Sequence, residues 1–117
     1  MDASIRAYFQ FFRYNPQFVK LLGRAQLDNI KGEESPQSAE LIKRGVQVIA
    51  QAQTEGRLRK DIAPQFVLFG FLSLIAYWFQ CRDRYLPQAG LENDPESYDD
   101  NYLTFILKVF LKGVLPE

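Results

Sequence analysis

Apolar residues recur along this chain at helical spacing, and prolines stand where the runs begin. Ile5, Tyr8, Phe9 and Phe12 fall at i, i+3, i+4 and i+7, one face of a helix predicted over about Ala3 to Tyr14. A second helix is predicted from Pro16 to about Ile30, with Phe18, Leu21, Leu22 and Ala25 as its stripe and Gly32 ending it. Residues 32–35 read as a loop. A third runs from Pro36 to Glu55, with Ile42, Val46 and Ile49 on one stripe, Leu41 and Val48 beside it, and Gly56 as its stop. A fourth runs from Pro64 to about Tyr85. After a polar loop over Leu86 to Asp94, a fifth runs from Pro95 to about Lys112, ended by Gly113.

Asn15-Pro16, Ser35-Pro36 and Asp94-Pro95 each place a capping residue before a proline at the first helical position. There the proline loses no useful N–H and its φ is already helical. Ala63-Pro64 repeats the arrangement with a poorer cap. Nothing in the pattern alternates with period two, so the predicted fold class is all-α: a five-helix bundle in one domain spanning residues 1–117.

The last two helices are apolar on more than one side. On the fourth, Phe66, Gly70, Ser73 and Tyr77 share one face; Phe71, Ile75, Trp78 and Phe79 share the opposite one. The second set is bulky and belongs in a core, while the small residues of the first let another helix come close. On the fifth, Tyr98, Tyr102, Phe105, Ile106 and Val109 mark one side, and Leu103, Leu107, Phe110 and Leu111 another. An apolar arc this wide exceeds what one core needs. The expectation is a homodimer in which four helices meet across a two-fold axis, with Gly70, Ser73, Tyr77, Tyr102, Phe105 and Val109 in the interface.

Composition narrows the function. The chain carries 14 basic and 14 acidic residues and no histidine. Residues 1–60 hold ten basic and six acidic side chains, and residues 61–117 four and eight. An excess of four is too thin for the lysine and arginine stripe of a nucleic-acid binder. Without histidine, the commonest general base and metal ligand are gone. Cys81 stands alone, so it forms neither an internal disulfide nor a zinc site; it reads as a packing residue in a cytoplasmic protein. The glycines are scattered rather than gathered into a phosphate loop, and the Glu33/Glu34 and Asp99/Asp100 pairs read as solvated acids. No catalytic residue, metal site or cofactor is expected. The longest apolar run, Phe66 to Phe79, is fourteen residues, short for a bilayer span.

The stretch Glu55-Gly56-Arg57-Leu58-Arg59-Lys60-Asp61-Ile62-Ala63-Pro64 resembles the helix-to-helix junction of TetR-family transcriptional regulators. Tyr8-Phe9 through Asn15-Pro16 resembles the first helix of that family's regulatory domain. Phe110-Leu111-Lys112-Gly113-Val114-Leu115-Pro116 resembles its C-terminal close. The resemblance implies the family's C-terminal regulatory fold and a repressor whose effector, a small mostly apolar molecule, enters a chamber among the first four helices. It implies Phe9, Phe12, Leu22, Val48, Phe71, Ile75 and Trp78 as chamber residues, with the space near Trp78, although aromatic stripes at helical spacing also read as plain core; Gln47 and Gln51 read as solvated surface or as polar orienters. The helix-turn-helix head of such regulators is not found in these 117 residues, so DNA contact is expected only through a parent protein's N-terminal domain. A stand-alone dimerisation module and a carrier of lipid-like molecules are the rival readings; no membrane partner is expected.

Overall fold

The computed structural model describes the backbone of residues 1–28 and 36–116, and the side chains of 1–24 and 39–116. The described residues form five main helices, α1 (Asp2–Tyr14), α2 (Pro16–Asp28), α3 (Pro36–Thr54), α4 (Pro64–Tyr85) and α5 (Asp99–Ile106), of which α2, α3 and α4 begin at the predicted prolines. No strand occurs among the described residues. The predicted Gly32 stop and Ser35 cap, and the side chain of Ala25 in the second stripe, lie outside the described residues.

α4 is the central element and packs against α1, α2 and α3. By length and composition alone it could cross a membrane, since the helix extends to 22 residues rather than the fourteen of its apolar run. Its Val67, Leu68, Phe71, Ile75 and Trp78 are buried against the other helices. α1 buries Ile5, Phe9 and Phe12 on the predicted face. Among the described side chains of α2, Val19 is buried, whereas Phe18 and Leu21 of the predicted stripe are exposed. Phe18 instead lies on the ring of Phe12, centroids 5.6 Å apart, and edge-on to Phe11.

The inner line of α3 is also rotated from the predicted stripe: Ile49 and Ala52 are buried, while Leu41, Ile42 and Val48 are exposed. Gly45 gives the reason. A Cβ there would sit 3.1 Å from Cδ1 of Leu68, so α3 meets α4 along the row of its glycine.

α3 ends in a Schellman turn. The N–H of Arg57 donates to the carbonyl of Ala52 at 2.9 Å, and that of Gly56 to Gln53 at 3.1 Å, with Gly56 at φ +78°.

The final segment is less regular than its periodicity implied. A 3₁₀ turn (Pro95–Tyr98), capped by the Asp94 carboxylate, leads into α5. A π-helical turn (Leu107–Leu111) follows, then one α-turn (Lys112–Val114). Gly113 lies inside that turn and does not stop the helix; the chain becomes extended at Leu115. At the π-turn Phe110 closes on α4, its Cε2 2.9 Å from where a Cβ on Gly70 would stand.

Asn15 also differs from expectation: its side-chain amide donates to the carbonyl of Phe11 at 2.7 Å, satisfying the end of α1.

Candidate functional site

α1, α3, the junction after α3 and the start of α4 line a partly open cavity of about 310 Å³. Leu41, Arg44, Gly45, Val48, Ile49 and Ala52 supply one wall, at the three- and four-residue spacing that puts side chains on one face of α3. Ser4 and Tyr8 of α1, Leu68 and Phe71 of α4, and Arg57 and Leu58 of the junction supply the others. The floor is apolar: Ile49, Ala52, Leu58, Leu68 and Phe71 are all buried. Tyr8 stands over Phe71, ring centroids 5.5 Å apart.

The junction wall is held from two sides. The amide of the buried Gln53 donates to the carbonyls of Arg59 at 3.1 Å and Ile62 at 2.8 Å. From the other side the N–H of Arg59 donates to the carbonyl of Val114 at 2.8 Å, and its guanidinium to that of Gly113 at 3.3 Å. The same guanidinium clasps Asp61 through two 2.6 Å contacts, and this hydrogen bonding holds the Asp61 carboxyl below its ordinary range. Glu55 is lowered likewise, first by the amide of Gln51 and then by Arg57. The wall of the cavity and the last turn of the chain are therefore one hydrogen-bonded unit. Phe71, on the cavity floor, also meets Phe110 of that terminal segment edge-on at 6.2 Å.

The expected chamber residues divide. Val48 and Phe71 line the cavity. Phe9, Phe12, Ile75 and Trp78 are buried in the packed interior, and Leu22 is half-buried against it. Phe9 and Phe12 close on Phe79 at 4.9 and 6.3 Å. Trp78 stacks on Tyr102 at 4.1 Å with the two rings nearly parallel. The described cavity thus lies at the Tyr8–Leu58 end of α1 and α4, away from the tryptophan. Gln47 and Gln51 are exposed, and Gln51 bonds to Glu55.

Sequence reading missed a polar cluster at the other end of α4. Asp99 is not a solvated acid. Only 5% exposed, it accepts from Nε1 of Trp78 at 2.8 Å and Nε of Arg82 at 2.9 Å. Arg13 approaches it at 3.8 Å and pairs directly with the exposed Asp100 at 2.6 Å. The spacing of Trp78 and Arg82, one turn apart on an apolar helix, was the available signal: a buried arginine needs a carboxylate.

The residues expected at a dimer interface form an outward face. Ser73, Tyr77, Phe105 and Val109 are exposed, with Phe66 and Phe69 beside them. Tyr102 is half-buried, its hydroxyl donating to the carbonyl of Leu74 at 3.2 Å. Gly70 is half-buried too, its missing side chain making room for Phe110 of the same chain.

The sequence model of one family, described as the tetracyclin repressor-like C-terminal domain, matches residues 3–99. No curated protein and no solved structure matches the chain.

Proposed function

The chain belongs to the tetracyclin repressor-like C-terminal domain family, and from that premise we propose that residues 1–117 form the effector-sensing and dimerisation domain of a cytoplasmic transcriptional repressor. The effector is a small, mostly apolar molecule. DNA is reached only through a helix-turn-helix domain of the parent protein, whose two copies the dimer sets apart. The domain performs no catalysis.

One observation carries this reading: a cavity of about 310 Å³ shares a wall with the segment that is hydrogen-bonded to the end of the last helix. That volume is at the lower end of the range for small-molecule pockets. A ligand pressing on Leu58 or Phe71 pushes on groups that touch Val114 and Phe110, and so on the helix whose outer side carries Phe105 and Val109. An effector acts only through unequal affinity for two arrangements of such a unit.

The exposed aromatic and aliphatic face of α4 and α5 supports the dimer. A run holding Phe66, Phe69, Tyr77, Phe105 and Val109, each 45% or more exposed, is the kind of surface a second copy covers.

The test is a sedimentation and thermal-melting experiment on the whole chain with neutral apolar compounds. The expected result is a dimer at micromolar concentration whose melting temperature rises with ligand, because binding the native state stabilises it by mass action. A monomer with an unmoved melting temperature would count against both halves of the proposal.

A further inference from the structure

We propose that the cavity takes an amphipathic anion, a medium-length apolar chain or small ring system ending in a carboxylate, with Arg44 as the residue that reads its charge. This deepens the effector-sensing reading and rests on it. The floor of the cavity is hydrocarbon, from Ile49, Leu58, Leu68 and Phe71, and calls for an apolar body. Its rim is different. Arg44 and Arg57 both line it, and no acidic residue does among those described. An apolar pocket lined by positive and by no negative charge is complementary to a molecule whose apolar part ends in an anion.

The two arginines are not equivalent. Arg57 already holds Glu55 through contacts of 2.9 and 2.8 Å, and Glu55 lies outside the cavity lining. Arg44 has no carboxylate partner among the described residues. It sits one turn before Val48 on the same face of α3, where it lines the cavity and is exposed to solvent. A planar guanidinium is suited to a carboxylate, which it binds through two parallel hydrogen bonds. Size limits the guest. About 310 Å³ holds about ten units of water size, at about 30 Å³ each, so an acyl chain near ten carbons is the scale expected.

The experiment is calorimetric titration of the whole chain with decanoate, 1-decanol and decylammonium, each below its micelle threshold. Decanoate should bind about tenfold more tightly than decanol, the difference one charge-assisted hydrogen-bonded contact makes, and decylammonium more weakly than either. Arg44→Gln should bring decanoate affinity down to that of decanol while leaving decanol unchanged. Val48→Glu, at a lining position 61% exposed and so tolerant of a polar side chain, should abolish decanoate binding with helix content intact. Decanol binding as tightly as decanoate, or decanoate binding unchanged in Arg44→Gln, overturns the anion assignment and leaves effector sensing standing. Equal binding of all three overturns it as non-specific detergency. Binding of none overturns both this inference and the sensing role.

Discussion

The indole N–H of Trp78 and the carboxylate of Asp99 meet at 2.8 Å in the interior, joining the middle of α4 to the first turn of α5. Asp99 is also the partner of Arg82, whose side chain is only 12% exposed. Asp99→Ala should therefore cost more than a surface ion pair. It leaves the indole donor of Trp78 unpaired and Arg82 with only its contact to the exposed Asp83 at 2.7 Å, and an unsatisfied buried donor costs about 1–3 kcal/mol. Urea unfolding should show a large fall in midpoint, and Trp78 fluorescence in the folded state should change. A loss under about 1 kcal/mol, the level of an exposed pair, would mean that water replaces the carboxylate.

Gly70 and Gly113 should respond to alanine with opposite signs. At Gly70 the new methyl would meet Phe110 at 2.9 Å, and overpacking typically costs about 1–3 kcal/mol. That exceeds the roughly 1 kcal/mol a helix gains from alanine over glycine. At Gly113 nothing lies within 4 Å, and the residue is helical without positive φ. There the propensity term acts alone, and Gly113→Ala should stabilise by up to about 1 kcal/mol. Thermal melts of the two variants compare the signs directly.

Gln53→Leu tests the junction. The substitution keeps bulk but removes the donor to the carbonyls of Arg59 and Ile62. Leaving buried acceptors unpaired costs about 1–3 kcal/mol. Amide exchange should quicken at Leu58 and Arg59, while the interior of α4 stays protected. Uniform quickening across the chain would show instead that the junction is not a separate unit.

Val109→Glu places a charge on the outer face, at a position 60% exposed in the single chain. If that face is covered by a second copy, sedimentation should shift from dimer to monomer with helical circular dichroism retained. A dimer that survives Val109→Glu together with Tyr77→Glu would locate the interface elsewhere.

Tyr102 gives a pH signature. Burial raises its phenol above the ordinary value of 10.0, because the charged form is disfavoured. The folded state then holds the proton more tightly than the unfolded chain. Stability is unaffected below about pH 10 and declines as pH rises through the folded value. Ultraviolet titration should show one late-ionising tyrosine, lost in Tyr102→Phe.

Periodicity and punctuation were enough for the helices. Prolines at 16, 36, 64 and 95 fix φ and lack an N–H, so each marks a start whatever packs around it. Gly56 accepts positive φ, so it closes α3. The double-sided apolar character of α4 and α5 was legible for the same reason: it depends only on angular spacing along a helix. Which part of a wide apolar arc faces inward depends on neighbours. Gly45 against Leu68 turned the inner line of α3 and left Val48 at the rim of a cavity. The π-turn brought Phe110 to Gly70, giving that glycine a partner within its own chain. Asp99 looked like any acid at a helix start until Trp78 and Arg82, 21 and 17 residues away, closed on it. Local spacing thus determined the elements and their apolar faces. The cavity, the buried carboxylate and the hydrogen-bonded junction exist only where distant segments meet, and only the tertiary structure decided them.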